Sequence, residues 1–401
     1  MDFLNEPNLI IALVIVSIAT LYCYYIGYLL KFQLNPAKFE TIDGLRGYLA
    51  FLVFMHHANI YYYYFKNKTW DLPNQKLFIH FGQTSVSLFF MITGFLFFNK
   101  LIESKTKKID WQQFYISRIL RLYPLYILVL IIIILIIAVS SDFRLNEPIS
   151  DIFSQLKDWF FFTAFNSPTI NKFEKTMNIT CYVLWTLKYE WFYYFSLPLI
   201  GLLFFKQRPS LFVLLISSYV CYSIYMRKQI ELIYLLSFLS GLLAVLINRI
   251  TSLKKYIIHP VSSILAIMCL VYMIEFYYTA YDYIPLLLIT IVFIIISNGN
   301  SIFGLLTSKA SRLLGQLSYS IYLLHAPLLY IMFKIIFEIQ PALVFSLYVY
   351  WAVIAVFSVL LISICHITYY KIELPMINST IKISNKLNEI RNSINKLYYK
   401  L

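Results

Sequence analysis

The chain has 401 residues, of which 60% are hydrophobic and 13% charged, and its mean hydropathy is +0.72. That balance excludes a soluble domain of ordinary size and predicts an all-α protein that crosses a membrane many times. The net charge of +14 sits in short segments between apolar runs. There it sets membrane orientation and attracts anionic lipid, so nucleic acid is not an expected partner.

Eleven apolar segments read as helices, near residues 8–30, 45–65, 82–99, 116–140, 182–205, 209–226, 231–248, 256–278, 281–297, 312–334 and 342–370. Together they predict a polytopic transmembrane helical bundle in a lipid bilayer. The first segment is not read as a cleaved signal peptide, because its leader MDFLNEP is acidic and no small-residue cleavage site follows. With the N-terminus outside, 22 of the 33 basic residues fall on the inner side. The expected topology is therefore N-terminus out and C-terminus in. Residues 141–181 are expected as one long outer loop holding Trp159 and a Phe-rich run, able to pack as a lid.

After Pro375 the apolar residues Ile383, Leu387, Ile390, Ile394, Leu397 and Leu401 recur every three or four positions, with lysines, asparagines and Arg391 between them. The spacing predicts an amphipathic helix lying on the inner leaflet. The five cysteines have no paired spacing, so neither a disulfide framework nor a metal cluster is expected.

The chemistry begins in the second segment. Arg46 lies in IDGLRG (42–47), and His57 follows eleven residues later on the same helix. At a rise of ~1.5 Å per residue the imidazole stands roughly 16 Å above the guanidinium. If Arg46 is at one face of a hydrocarbon core ~30 Å thick, His57 is near the midplane. Ionisable groups at that depth are costly to bury and are candidate functional groups.

FYISRILRLYPLY (114–126) then places Arg118 and Arg121 three apart on one helix face. They lie just after Lys105, Lys107 and Lys108. Plain positive-inside topology would use lysine or arginine alike, whereas a phosphate is gripped bidentately by arginine. On the second reading Arg46, Arg118 and Arg121 form a cradle for a polyphosphate donor.

Glu190, in YVLWTLKYEWFYYF (182–195), and His325, in SYSIYLLHAPL (318–328), reach depths that converge with His57 from opposite sides. A carboxylate and two imidazoles there suit general acid–base chemistry. The plainer reading pairs Glu190 with a buried cation and His325 with a backbone carbonyl. His56 points about 100° away from His57, so only one of the two faces a given site. His80, His259 and His366 lie at predicted helix ends and are assigned no chemistry.

Six stretches, taken in order, resemble the membrane-bound acyltransferase-3 family over residues 40–376. IDGLRG through His57 is similar to the family's arginine, ten residues, histidine signature. VSLFFMITGFL (86–96) resembles its second-helix motif and SRILRLYP its arginine-x-x-arginine motif. LWTLKYEWFYY resembles its tryptophan-serine-leucine-x-x-glutamate motif, with Thr186 where serine is usual. SYSIYLLHAPL and YYKIELPM (369–376) resemble the last two.

The resemblance implies ten core helices plus one extra N-terminal helix. The expected division is 1–40 for that extra helix and its linker, 41–376 for the acyltransferase domain and 377–401 for the basic tail. It further implies a multi-pass enzyme of the cytoplasmic (inner) membrane that takes an acyl group, usually acetyl, from cytoplasmic acyl-CoA. The acceptor is implied to be a sugar hydroxyl of a cell-surface glycan such as O-antigen or capsule, on the outer side. The hydrolase-like domain that some members carry after the membrane part is not expected here.

On this reading His57, Glu190 and His325 are catalytic, and Arg46, Arg118 and Arg121 bind the donor. No permanently bound cofactor and no metal are required. His57 serves either as base or as transient acyl carrier. A proton-coupled transporter is the alternative use of midplane histidine and glutamate, but the paired broken helices or internal repeats often seen in transporters are not evident.

Overall fold

The computed structural model describes residues 7–30, 38–67, 69–72, 75–104, 108–226, 230–334 and 346–398, with side chains through 393. Lys31, Lys105, Lys107 and Leu401, and the side chains of Ile394 and Leu397, lie outside the described residues. The described chain is built from helices, with no strand among its elements. In chain order these are α1 (Leu9–Leu29), α2 (Glu40–Asn67), α3 (Lys76–Glu103), α4 (Trp111–Ser140), α5 (Ile149–Phe160) and α6 (Thr176–Ile179). There follow α7 (Trp185–Phe204), α8 (Leu211–Met226), α9 (Leu232–Asn248), α10 (Thr251–Ile257), α11 (Pro260–Phe276) and α12 (Tyr283–Ser297). The last are α13 (Lys309–Gln316), α14 (Ser318–Met332), α15 (Leu347–Thr368), α16 (Leu374–Asn378) and α17 (Thr380–Tyr398).

Each of the eleven predicted segments contains a helix. Four continuous helical stretches are long and apolar enough to cross a membrane: Leu9–Leu29, Lys76–Glu103, Trp111–Ser140 and Leu347–Ser393. The α9–α10 pair, bent by 106°, makes a fifth candidate span. The 312–334 segment is two helices instead of one, because the chain breaks between α13 and α14 at Leu317.

The expected long loop at 141–181 is in fact folded, and holds α5 and α6. Ile149, Ile152, Phe153, Leu156 and Phe160 repeat at helical spacing, a pattern that the loop reading passed over. Trp159 is fully buried. Its indole Nε1 donates to the Pro168 carbonyl at 2.9 Å, and its own carbonyl accepts from the Tyr126 hydroxyl at 2.5 Å. The segment is thereby tied to α4.

The centre of the bundle is α2, which packs against α3, α13 and α14, while α3 also packs against α9. Nearly every α2 side chain from Thr41 to Tyr62 is buried or half-buried. Close approach of α2 to α13 depends on Gly315, where an added Cβ would come 1.8 Å from the Asp43 carbonyl oxygen. One end of the bundle, here the arginine end, is pinned by two ion pairs. Lys38 meets Glu103 at 2.5 Å, and Arg312 meets Glu40 at 2.7 Å.

At that end α17 lies along α4. Ser384 is buried, and Arg391 Nη1 donates to Gln112 Oε1 at 3.3 Å. Leu387 and Ile390 stay 43% and 47% exposed. The helix therefore turns Ser384 to the protein and leaves Leu387 and Ile390 exposed.

Candidate active site

His57 is carried a turn past the middle of α2, and His325 is the middle residue of α14. Their rings stack at 5.1 Å, and His57 Nδ1 lies 2.9 Å from His325 Nε2. The protons follow from the partners. His325 Nδ1 is 2.8 Å from the Ile321 carbonyl, which only accepts, so this nitrogen donates. A neutral His325 then keeps its lone pair on Nε2, where it accepts from His57 Nδ1–H. That leaves His57 Nε2 with an uncommitted lone pair.

His56 is turned elsewhere. Its Nδ1 donates to the Phe78 carbonyl at 2.7 Å, and its ring packs against Gly82 of α3. A Cβ at Gly82 would come 2.6 Å from the His56 ring, so the two residues require each other. The helical geometry that separates His56 from His57 is thus realised with His57 facing α14.

The three arginines share one cavity of about 370 Å³ at the arginine end. The Arg118 guanidinium lies over Phe97 at 5.2 Å and over Tyr194 at 5.9 Å. Arg121 lies over Tyr319 at 5.8 Å. The ion pairs among the described residues are the two named above, and neither involves Arg46, Arg118 or Arg121. Three clustered guanidiniums, two of them on aromatic faces and none in ion-pair contact with a carboxylate, form a cationic recess. Ser318 Oγ, which also lines the cavity, is buried without a hydrogen-bond partner.

Glu190 lines this same cavity, and its Oε2 accepts from Tyr194 OH at 3.3 Å. The expected convergence at one level is therefore partial: His57 meets His325, while Glu190 stands with the arginines. The two histidines do not line the cavity. Between them and it stands Tyr322, whose ring centre is 6.2 Å from that of His325. The Tyr322 hydroxyl donates to the Val183 carbonyl at 3.0 Å and lies 2.8 Å from Thr186 Oγ1. Tyr322 and Thr186 line the cavity.

Glu373 is a site residue that the sequence reading did not single out, although it lies in the quoted stretch YYKIELPM. It is fully buried, accepts a hydrogen bond from Ser320 Oγ through Oε1, and leaves Oε2 without a partner. Its backbone belongs to a π-helical turn, 369–373, which departs from α-helical register where α15 ends. Such turns are frequent at functional sites. An ionisable residue in a run of aromatic and apolar neighbours was the available signal.

The family model described as an acyltransferase domain, that of the acyltransferase-3 proteins, matches residues 39–368. Neither a curated protein nor a solved structure matches the chain. The match covers well over half of the sequence and contains every arginine, histidine and carboxylate of the site except Glu373. The chain belongs to the acyltransferase-3 family and is a membrane acyltransferase.

Proposed function

We propose that this protein transfers an acyl group, acetyl in the simplest case, from acyl-CoA to a hydroxyl of a cell-surface glycan. The observation that carries the reading is the cavity that gathers three guanidiniums around a single carboxylate, Glu190, with Tyr322 on its wall beside the His325–His57 pair. Coenzyme A is anionic at its nucleotide end and slender along its pantetheine arm. Arg46, Arg118 and Arg121 hold the phosphates through charge-assisted hydrogen bonds. The pantetheine arm extends past Thr186 and Tyr322 toward His57.

The reaction requires one proton acceptor and one leaving group. His57 Nε2 takes the proton of the acceptor hydroxyl while its oxygen attacks the thioester carbonyl carbon. The carbon–sulfur bond then breaks, and the thiolate leaves with the proton returned from His57. His325 Nε2, accepting from His57 Nδ1–H, stabilises the imidazolium formed in between. The same lone pair on His57 Nε2 also suits transient acyl-imidazole formation, in which case the acceptor attacks in a second step. Glu190 keeps the guanidinium cluster from excessive positive charge. No resident cofactor or metal takes part.

The enzyme lies in the cytoplasmic membrane, N-terminus out and C-terminus in, with the arginine end facing the cytoplasm. Two features support this orientation: the excess of lysine and arginine at that end, and the exposed Ile381, Leu387 and Ile390 of α17, which suit the interface of a bilayer. Mass spectrometry of surface glycans from cells with and without the protein tests the reading. An acyl ester lost with the protein is the expected result. Unchanged glycans, together with solute uptake that follows the protein, would replace it with the transporter reading.

A further inference from the structure

A second recess, of about 430 Å³, adjoins the arginine cavity, with Ser117 and Thr380 lining both. Its walls come from the end of α3 and the start of α4 and include Lys100, Lys108, Gln113 and Phe114. Buried Gln207, from the α7–α8 connection, fixes its shape. The Gln207 side-chain amide donates at 3.0 Å to both the carbonyl and the hydroxyl of Ser104, and its Oε1 accepts from Ile109 N at 3.1 Å. One amide thereby ties Ser104 to Ile109.

The carboxylates of this recess are committed. Glu103 is bound by Lys38 at 2.5 Å and by Asn99 at 3.0 Å, and Asp110 caps α4 by accepting from Gln113 N at 2.9 Å. Neither ammonium of the recess is in an ion pair among the described residues: Lys100 lies over the Phe114 ring at 5.4 Å, and Lys108 is exposed on the rim. A row of cations therefore runs from Lys108 and Lys100 through Arg118 and Arg121, with aromatic rings beneath Lys100 and both arginines.

Building on the acyl-CoA reading above, we infer that this recess is the subsite for the adenosine 3′-phosphate end of the donor. Coenzyme A carries a pyrophosphate next to its pantetheine arm and a separate phosphate on the ribose beyond. With the pyrophosphate on the arginines, the ribose phosphate falls to Lys100 and Lys108. The Gln113 amide offers the paired donor and acceptor that an adenine edge requires. The recess thus sets preference for coenzyme A over thioesters that lack the nucleotide.

The test measures binding of coenzyme A and 3′-dephospho-coenzyme A to the full protein in nanodiscs of phosphatidylcholine. The native protein is expected to prefer coenzyme A by about tenfold, the worth of one charge-assisted contact. The double variant Lys100→Ala, Lys108→Ala is expected to lose that preference while binding the dephospho form as before. Equal binding of both forms by the native protein, or equal weakening of both in the variant, overturns the subsite. A preference abolished by phosphatidylglycerol in the discs would assign the recess to lipid headgroups and also overturn it. If the native protein binds neither form, the acyl-CoA reading itself fails.

Discussion

His57 and His325 are 268 positions apart in the chain, yet His57 Nδ1 sits 2.9 Å from His325 Nε2. The Ile321 carbonyl fixes the proton of His325, and His325 in turn fixes the proton of His57. The pair therefore presents one uncommitted lone pair, on His57 Nε2, with a second imidazole behind it to stabilise the cation that forms on proton uptake.

His325→Ala is accordingly expected to lower turnover roughly 100-fold, within the range typical of a lost acid–base partner, without changing donor binding. His56→Ala is expected to keep turnover within a few-fold but to lose about 1 kcal/mol of stability, because the Phe78 carbonyl loses its donor. Initial rates and melting temperatures of the two purified variants check this. A reversed order of activity would mean that His56 faces the substrate.

The arginine cavity predicts a different signature. Arg118→Ala with Arg121→Ala is expected to raise the KM for acyl-CoA more than tenfold, since each guanidinium supplies charge-assisted contacts to phosphate. Lysine at both positions should recover the affinity only in part, because the bidentate fork is lost. Raising the salt concentration should weaken the native affinity in the same direction. Unchanged KM in the double alanine variant would remove the cradle.

Tyr322 separates the cavity from the histidines, so its size should govern acyl length. Tyr322→Ala is expected to use butyryl-CoA relative to acetyl-CoA better than the native enzyme does. Tyr322→Phe should retain the native preference and lose about 1 kcal/mol of stability with the hydroxyl contacts to Val183 and Thr186. Ratios of initial rates with the two thioesters decide it.

The contrast between Tyr322 and His57 shows what the sequence makes legible. Apolar runs locate all eleven helical segments, and the eleven-residue spacing on α2 gives the height of His57 above Arg46. Height along a helix says nothing about which neighbour a side chain meets. Depth alone put Glu190 level with the histidines, but the face of α7 on which it lies turns it to the arginines. The His57–His325 contact, the Gln207 clamp and the wall made by Tyr322 all depend on packing between elements far apart in sequence. The longest missed helix, α5, is written in the 149–160 periodicity but obscured by its length and charge, which resemble those of a loop.

Glu190 yields a prediction in which kcat and KM separate. Glu190→Gln keeps the shape and removes a negative charge from beside three guanidiniums. Phosphates should then bind at least as tightly, while turnover falls about tenfold or more as the balanced charge of the cavity is lost. Steady-state kinetics resolve the two constants. If turnover is unchanged and only thermal stability falls, the residue serves packing alone.

The central claim is that His57 moves an acyl group from a donor held at the arginine end. The most direct measurement reconstitutes the native protein and His57→Ala in liposomes, supplies acetyl-CoA labelled in the acetyl carbon, and follows label into a glycan acceptor. The account predicts transfer by the native protein and none above background by His57→Ala, which should still bind coenzyme A with native affinity. Transfer by His57→Ala at a rate near that of the native protein would contradict it.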